Sequence, residues 1–429
     1  MNMPPTGTEG SFVVEGVRIL GDGPLVDLHV EQGRIVQIAP GDATQDAMLV
    51  ALPGFVDLHT HLREPGGEDA ETVASGTRAA AAGGYTDVFP MANTSPVTDS
   101  VDLIEELRVR AREVSTRVHP IAAATLRLAG EELVDVVSLR KAGVTVFSDD
   151  GHCLTDDGLV YELLSLLAEH GGVFAQHAQS ASIVRDGIIN AEVAEEAGCR
   201  GWPGVGEEAI VARDIAIARA TGGRLHVCHV STRRTVDLIR WAKSLGAPVS
   251  AEVTPHHLSL SDQDAVRRGA ALKVNPPLRS RDDIEALRSA LLDGTIDVVA
   301  TDHAPHPAEK KNLPWSSAAF GMTGIETALP IVADVFAVDG LVDWHGVMRV
   351  MSTAPARIGG IADWQQPEIA VGSAATFCVV QGGRPWVLQS SDLLSKSRNT
   401  PFDGFEFTHR VLMTVLEGRV THSSTGGGP

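Results

Sequence analysis

Two histidines end an apolar run in residues 55–66, which read FVDLHTHLREPG. His59 and His61 are two positions apart, and residues i and i+2 of a β-strand point to the same side. The pair can therefore offer two imidazoles to one ion, and neutral imidazole nitrogens suit zinc and similar divalent ions. The same alternation carries Arg63 over this end of the strand, where a guanidinium can bind a carboxylate through two hydrogen bonds.

Polar residues of this kind also follow other apolar stretches of the chain. The residues at these ends are His59, His61, Asn93, Asp149, Asp150, His177, His229, His256, His257, Asp302, His303 and His306. The candidate metal ligands among them are His59, His61, His177, His229, Asp302 and either Asp149 or Asp150. Only one of the two adjacent aspartates can point inwards, because neighbours on a strand alternate sides. Six groups are too many for one open catalytic zinc, and they suit two ions that share a bridging carboxylate and a water.

The elements that must position these residues form a repeated pattern of short apolar strands and Ala/Leu-rich helices. The eight candidate strands are GFVDLHTH, YTDVFPMAN, VHPIAAAT, GVTVFSDD, GVFAQHA, RLHVCHVS, PVSAEVTPHH and IDVVATDHAP. Helical stretches such as ETVASGTRAAAAGG and GEEAIVARDIAIARATGG lie between them and end in glycine, the usual residue after a helix. Eight alternations predict a (β/α)₈ TIM-like barrel, in which the active site lies at the carboxyl ends of the strands. A doubly wound open sheet is the alternative, but the chain has no glycine-rich nucleotide-binding motif to support it.

Both ends of the chain contain short alternating strands separated by Gly, Asp and Pro. We predict a small β-sandwich domain of antiparallel strands built from residues 1–52 and 365–429. The barrel is then expected to occupy residues 53–364, inserted between the two halves of this domain.

Composition limits the class of partner. The chain carries 35 Lys and Arg against 55 Asp and Glu, a net charge of -20, which argues against nucleic acid as a partner. None of its four cysteines forms a CxxC pair, as expected for free thiols in a reducing compartment. The first residues lack the pattern of a secretory signal, and no apolar run approaches the roughly 20 residues that span a bilayer. We therefore expect a cytoplasmic protein with no membrane partner.

Eight motifs occur in order along nearly the whole chain: LPGFVDLHTHLREPG, MANTSPVTD, SDDG, QHA, CHVST, EVTPHHL, LKVNPPLR and TDHAPH. Together they resemble dihydroorotase of the longer bacterial type, in the amidohydrolase superfamily. The resemblance implies the reversible conversion of N-carbamoyl-L-aspartate to L-dihydroorotate in pyrimidine (UMP) biosynthesis. It also implies a small-molecule substrate and two Zn²⁺ ions in each subunit.

The resemblance also assigns residue roles. His59, His61 and Asp302 are expected to bind one zinc, His177 and His229 the other, and Asp150 and a water or hydroxide to bridge them. In ring opening the bridging hydroxide attacks the amide carbonyl, and Asp302 is expected to act as general base and then as general acid. The expected substrate-side residues are His61, Arg63, Asn93, Asn275, His306, Phe320 and Gly321. His256 and His257 are interpreted as support for the barrel rim. The segment PAEKKNLPWSSA, which precedes Phe320, is predicted to be a loop.

Two competing functions remain open at this point, and the first is that of another cyclic-amide hydrolase, acting on a hydantoin-like ring. Hydantoinases, allantoinases and shorter dihydroorotases bridge their metals with a carbamylated lysine on strand four. The nearest lysine here is Lys141, nine residues before Asp150, which favours the dihydroorotases with an aspartate bridge. The second competitor is an inactive partner subunit that stabilises aspartate carbamoyltransferase, but such chains lose metal ligands and this chain keeps them. A homodimer and an association with aspartate carbamoyltransferase are expected only from the family.

Overall fold

Eight parallel strands form a closed barrel at the centre of the molecule. The structure is a computed structural model that describes residues 3–42, 48–365 and 368–424. Barrel strands 1 to 8 are Phe55–Thr60, Tyr85–Pro90, Arg117–Val118, Val146–Phe147, Val173–Gln176, Leu225–Val227, Val249–Val253 and Val298–Val299. Strands 1–3 and strands 4–8 form two hydrogen-bonded sheets. Parallel bridges between Ala122 and Phe147 and between Thr60 and His303 join these sheets, so the barrel closes. The predicted barrel is confirmed, although several strands are shorter than the apolar stretches that suggested them.

Helices surround the barrel and return the chain to its opposite end after each strand. The longer ones are Val73–Ala82, Val101–Arg110, Val136–Lys141, Asp157–His170, Val205–Thr221, Arg233–Ser244, Asp262–Arg268, Arg281–Asp293 and Ala328–Val335. Shorter turns of α-helix are Ala181–Val184, Pro255–Ser259, Ala308–Lys311, Trp344–Met348, Ala354–Ile358 and Ala362–Gln365. The sequence specifies several helix ends locally. At the helix Val73–Ala82, Thr72 and Ser75 form a reciprocal capping box and Gly83 caps the C-terminal end. Gly222 ends the helix Val205–Thr221 in the left-handed conformation.

A second, seven-stranded sheet takes strands from both ends of the chain. In sheet order these are Arg419–Ser423, Arg410–Leu416, Phe377–Gln381, Leu49–Pro53, Ser11–Ile19, Val26–Glu31 and Arg34–Pro40. The sheet folds over an apolar core that includes Val14, Leu28, Phe377 and Met413, and a bridge from Arg34 to Ala374 connects its outer strand back to the segment before Phe377. One pairing, between Ser11–Ile19 and Leu49–Pro53, is parallel, so the prediction of only antiparallel strands was wrong there. The residue boundaries of the two predicted domains stay a prediction.

Two local predictions are corrected by helical turns. His256 and His257 lie in the turn Pro255–Ser259, beyond the end of barrel strand 7, because Thr254 caps the turn and Pro255 occupies its first position. The segment predicted as a loop before Phe320 contains the helical turn Ala308–Lys311. None of the helices in the described residues is long and apolar enough to cross a membrane.

Candidate metal centre and substrate cavity

The end of barrel strand 1 places two imidazoles together at the carboxyl end of the barrel. His59 is fully buried and His61 is 6% exposed, and their ring centroids are 5.4 Å apart. Nε2 of His61 lies 3.1 Å from Oδ1 of Asp302, and Nε2 of His59 lies 3.6 Å from the same oxygen. One ligand atom from each of the three residues lies within 4.8 Å of the others, which fits a single cation.

Asp150 connects this group to a second one. Its Oδ1 lies 3.4 Å from Nε2 of His59, 3.3 Å from Nδ1 of His177 and 3.5 Å from Nε2 of His229, and its Oδ2 lies 3.5 Å from Nε2 of His61. Nδ1 of His177 is 2.9 Å from Nε2 of His229. The carboxylate therefore lies between two histidine pairs, as a ligand shared by two ions requires.

The second aspartate of the pair has a different role. The carboxylate of Asp149 accepts hydrogen bonds from the backbone N–H groups of Ala124 and Thr125 at 2.8 and 2.9 Å, and from the Thr125 hydroxyl at 2.5 Å. Asp149 thus joins two neighbouring barrel strand ends. The oxygens of Asp149 are occupied by these hydrogen bonds. Asp150 is therefore the aspartate that faces the histidines.

Whether the site fits a metal depends on the hydrogen bonds that three of the imidazoles make on the side away from the centre. Nδ1–H of His59 donates to Oε1 of Glu252 at 2.7 Å, and Nδ1–H of His61 donates to Oδ1 of Asn93 at 3.1 Å. Nε2–H of His177 donates to Oε1 of Gln179 at 2.8 Å. Each of these bonds directs the other ring nitrogen at the centre, where the neutral ring can offer its lone pair to an ion. The buried Nε2 of His59 has no hydrogen-bond partner, so these donors fit a divalent cation.

Burial and charge act in opposite directions on the two carboxylates. Burial alone would raise the pKa of Asp150, but the charge of His59 and hydrogen bonds with His177 and His229 hold that pKa well below its usual range. Burial also opposes the shift at Asp302, whose pKa is lowered by the charge of His59 and by a hydrogen bond from His61. Both carboxylates are therefore ionised at neutral pH, the form that binds a cation.

Three residues at this end of the barrel adopt backbone conformations that L-residues rarely occupy. The φ angles are 61° at Arg63, 33° at His229 and 44° at Asp302. Such conformations persist where the surrounding structure imposes them, and they occur most often at functional sites. Here they turn a side chain towards the centre at the point where a strand ends.

Glu252 is a residue of the centre that the sequence reasoning missed. Besides His59, its carboxylate accepts hydrogen bonds from Nε2–H of His226 at 3.0 Å and from the backbone N–H of His229 at 3.1 Å. Burial would raise the pKa of Glu252, but the charge of His59 and the hydrogen bond from His226 lower it. The available signal was a charged residue inside the apolar strand VSAEV, since an unpaired carboxylate is rarely buried.

A cavity of about 250 Å³ lies above the candidate ligands. Its wall includes all seven predicted substrate-side residues: His61, Arg63, Asn93, Asn275, His306, Phe320 and Gly321. Asp150, His177, His229 and Asp302 form the floor of the same cavity. The structure therefore brings the predicted ligands and the predicted substrate contacts to one place, with His59 buried beneath them.

The substrate-side residues are held by contacts within the wall. Nε of Arg63 donates to the carbonyl of Pro305 at 3.2 Å, and the ring of His306 lies 3.3 Å from Nη2 of Arg63 and 2.7 Å from the carbonyl of Phe320. Burial and the charge of Arg63 lower the pKa of His306 to about 3, so this imidazole is neutral. Asn93 also donates to the carbonyl of Asp150 at 3.2 Å, so its amide supports two candidate ligands as well as lining the cavity.

On the other side of the cavity, the amide of Asn275 donates to Oε1 of Gln179 at 3.1 Å, and its buried Oδ1 has no partner. A ligand with an N–H group would satisfy that oxygen. The two histidines of the Pro255–Ser259 turn do not line the cavity. His257 bonds the Thr254 hydroxyl and the carbonyl of Pro276, in accordance with a supporting role. Lys141 is exposed at the end of its helix, on a different part of the surface.

Comparisons with known proteins agree with this architecture. Residues 48–235 match the family model described as "Dihydro-orotase-like". The dihydroorotase of Streptomyces coelicolor is 44% identical over 422 residues, which cover 95% of this chain and 97% of that protein. The dihydroorotase of Leifsonia xyli is 45% identical over 436 residues, covering 98% and 99%. Among solved structures, the L-hydantoinase (dihydropyrimidinase) from Arthrobacter aurescens has a TM-score of 0.83 at 25% identity, covering 96% of each chain.

Three features define the class of protein: the closed barrel, the sheet built from both termini, and the buried histidines and aspartates at the strand ends. The protein is a hydrolase of the amidohydrolase class. Within that class, identities above 40% over nearly the full chain decide the family. The chain belongs to the dihydroorotase family. The family and the fold predicted from the sequence are thereby confirmed.

Proposed function

We propose that the protein catalyses the reversible cyclisation of N-carbamoyl-L-aspartate to L-dihydroorotate in the cavity above Asp150 and Asp302. Dihydroorotase activity, a step of pyrimidine biosynthesis, follows from the family. The observation that carries the proposal is a single cavity whose floor is formed by four of the candidate ligands and whose wall includes Arg63 and Asn275. A cyclic amide that carries a carboxylate matches this cavity. Its carboxylate suits the guanidinium of Arg63, its ring N–H suits the unpartnered Oδ1 of Asn275, and its carbonyl suits the candidate metal centre.

We assign the metal as zinc, with two ions in each subunit. The proposed ligands are His59, His61 and Asp302 for one ion and His177 and His229 for the other, with Asp150 between them. Imidazole and carboxylate donors suit this ion, and the Asp150 carboxylate lies 3.3 to 3.5 Å from a nitrogen of each of the four histidines. When bound, the two ions supply an activated water and polarise the amide carbonyl.

Asp302 moves the proton in this proposal. In ring opening its carboxylate takes a proton from the attacking water and returns it to the departing ring nitrogen, and in ring closure the order reverses. The position supports this role, because Oδ1 of Asp302 lies 3.1 Å from Nε2 of His61 at the floor of the cavity, and its lowered pKa keeps the carboxylate ionised before the reaction.

The wall residues orient the substrate. Arg63 binds the ring carboxylate through its planar guanidinium, and Oδ1 of Asn275 accepts from a ring N–H. His306 is neutral and contacts both Arg63 and the carbonyl of Phe320, so it fixes the guanidinium and the loop that carries Gly321. His61 and Asn93 complete the contact surface next to the metals.

The direct test is an assay of the purified chain in both directions, with metal analysis of the same sample. We expect turnover of dihydroorotate and of carbamoyl aspartate, no comparable turnover of hydantoin or allantoin, and about two zinc ions per chain. Turnover of hydantoin or allantoin without dihydroorotate would refute the substrate assignment. A metal-free, inactive chain would instead support the partner-subunit alternative.

A homodimer and an association with aspartate carbamoyltransferase remain predictions from the family, and a cytoplasmic location remains a prediction from the sequence. Light scattering of the purified chain, alone and mixed with aspartate carbamoyltransferase, tests the first two. An assay in the presence and absence of the second enzyme tests whether it changes the activity.

A further inference from the structure

A segment from the C-terminal part of the chain reaches the catalytic end of the barrel. Residues 393–400 belong to the long connection between two strands of the seven-stranded sheet. The buried hydroxyl of Ser395 donates to Oε2 of Glu71 at 2.5 Å. The buried hydroxyl of Ser397 donates to the carbonyl of Ala70 at 2.6 Å. Both acceptors follow barrel strand 1, so these contacts anchor the segment to the loops at the carboxyl end of the barrel.

Asn399, in the same segment, bonds to the backbone of two stretches that line the catalytic cavity. Its Oδ1 accepts from the N–H of His306 at 3.0 Å, and its Nδ2 donates to the carbonyls of Ala304 at 3.2 Å and Gly321 at 3.4 Å. The carbonyl of Asn399 also accepts from the N–H of Thr323 at 3.2 Å. A side-chain amide offers one acceptor oxygen and two N–H donors, so this orientation satisfies all three side-chain contacts. Asn399 thus ties the two stretches together from behind the cavity wall.

The contacts of Asn399 begin where direct pairing between the two stretches ends. The N–H of Ala304 donates to the carbonyl of Met322 at 2.9 Å, which is a direct link between their backbones. Beyond this link the residues on both sides of His306 are prolines, and proline has no N–H to donate. The N–H of His306 is therefore the one backbone donor of positions 305–307, and Asn399 accepts from it.

The position of His306 matters because its imidazole contacts two substrate-side groups. Its Nε2 lies 2.7 Å from the carbonyl of Phe320 and 3.3 Å from Nη2 of Arg63. The packing here is close, since a Cβ added at Gly321 would lie 2.7 Å from Cβ of Ala304 and 3.2 Å from Nε2 of His306. A shift of the His306 backbone would therefore move the imidazole relative to the guanidinium of Arg63.

We propose that Asn399 is a positioning residue for the substrate, which holds His306 and, through it, the guanidinium of Arg63 in the geometry that binds the substrate carboxylate. The proposal rests on the function proposed above, because Arg63 is assigned there to the carboxylate of the ring. The residues that line the cavity lie between positions 61 and 321. Asn399 therefore makes substrate binding depend on a connection of the seven-stranded sheet as well as on the barrel loops.

The metal centre has supports of its own. The backbone on both sides of Asp302 is fixed by barrel strand 1: the N–H of Thr301 donates to Oδ1 of Asp57 at 2.9 Å, and the carbonyl of His303 accepts from the N–H of His61 at 2.9 Å. Loss of the Asn399 amide should therefore leave metal binding and the chemical step largely unchanged. It should instead reduce the fraction of molecules whose wall is ready to bind the substrate, which raises KM.

Steady-state kinetics of Asn399→Ala test the proposal. We expect KM for dihydroorotate to rise roughly tenfold, kcat to change less than about threefold and the metal content to stay the same. Ser397→Ala is the matched control, because it removes a buried hydrogen bond of the same segment to a residue outside the cavity wall, and its KM should stay unchanged. An unchanged KM in Asn399→Ala, a fall in kcat alone, or an equal rise of KM in Ser397→Ala overturns the proposal.

A double variant tests whether Asn399 acts through His306. His306→Ala removes the imidazole but keeps the N–H that Asn399 accepts from, so nothing is left there for the amide to position. Asn399→Ala should therefore raise KM less than about threefold when it is added to His306→Ala. A rise of about tenfold in both backgrounds would show that Asn399 acts independently of the imidazole, which contradicts the proposed contacts.

Hydrogen–deuterium exchange gives a readout that does not depend on turnover. Because prolines flank His306, the exchange of positions 305–307 reports the N–H of His306 alone. That N–H should exchange roughly tenfold faster or more in Asn399→Ala and at an unchanged rate in Ser397→Ala. Faster exchange in a protein that does not convert dihydroorotate would refute the proposed function and leave the contact of Asn399 with the wall in place. An unchanged exchange rate in Asn399→Ala overturns the positioning role itself.

Discussion

The carboxylate of Glu252 lies 2.7 Å from Nδ1 of His59, on the side of the imidazole opposite the metal centre. The same carboxylate accepts from His226 and from the backbone N–H of His229. It therefore orients one candidate ligand from each half of the centre. A carboxylate behind a ligating imidazole fixes its tautomer and increases its basicity, and mutation of such a group commonly costs 10–100-fold in metal affinity.

From this geometry we predict that Glu252→Gln weakens metal binding roughly 10-fold or more while the fold is retained. The amide keeps the size of the side chain but loses the charge, and it can no longer accept at both oxygens. Competition with a chelator measures the change. Glu326→Gln is the matched control, since Glu326 accepts from the backbone of Leu394 and Ser395 outside the cavity. Equal metal affinity in Glu252→Gln and Glu326→Gln would contradict the assigned role.

Asp302→Ala should abolish turnover while the ion at His177 and His229 remains. Removal of a positioned general base costs roughly 10²–10⁴-fold, and Asp302 is also a proposed ligand, so we expect the upper end of that range. Steady-state assays in both directions, with metal analysis of the same sample, give the two readouts. Asp297→Asn is a control at a carboxylate that bonds Lys243 and the backbone of Ala251. Substantial residual activity in Asp302→Ala would refute the proton-transfer role.

The sequence predicted the ligand cluster because the signal is local. An apolar run that ends in histidine or aspartate fixes both the strand and the direction of its last side chains, as at His59 and His61. The choice of Asp150 over Asp149 came from a resemblance, since alternation alone left both open. The physical reason appears only in the fold, where Asp149 is occupied by the backbone N–H groups of a neighbouring strand end.

Contacts between distant parts of the chain could not be predicted in the same way. Glu252 meets His59 across 193 positions, and no local pattern encodes that distance. The helical turn that holds His256 was misread as a strand end, although Thr254 and Pro255 form a helix-start signal that the sequence does contain. Lys311 was expected in a polar loop, yet it is 4% exposed and donates to the carbonyls of Lys273 and Ala319.

Arg63→Lys should lower kcat/KM for dihydroorotate roughly 10–100-fold, mainly through a higher KM. Lysine keeps the charge but cannot form the paired hydrogen bonds of a guanidinium with a carboxylate, which is a loss of about 1.5–3 kcal/mol. Steady-state kinetics separate the two parameters. Arg110→Lys provides the control, because Arg110 pairs with Glu64 and Glu106 on the surface. A fall in kcat at unchanged KM would place Arg63 in the chemical step and not in substrate binding.

Glu326 should make the free energy of unfolding of the protein depend on pH. Burial raises its pKa to about 7, against the hydrogen bonds from Leu394 and Ser395, which lower it. Between an unfolded value of about 4.5 and about 7 the folded state holds a proton that the unfolded state has lost, so the free energy of unfolding falls as pH rises. Glu326→Gln removes this titration. The stability of the unmodified protein relative to the variant should therefore decline between about pH 5 and pH 8, by at most about 3 kcal/mol. Urea unfolding of both proteins at several pH values measures the difference, and parallel pH profiles would show that Glu326 does not titrate in this range.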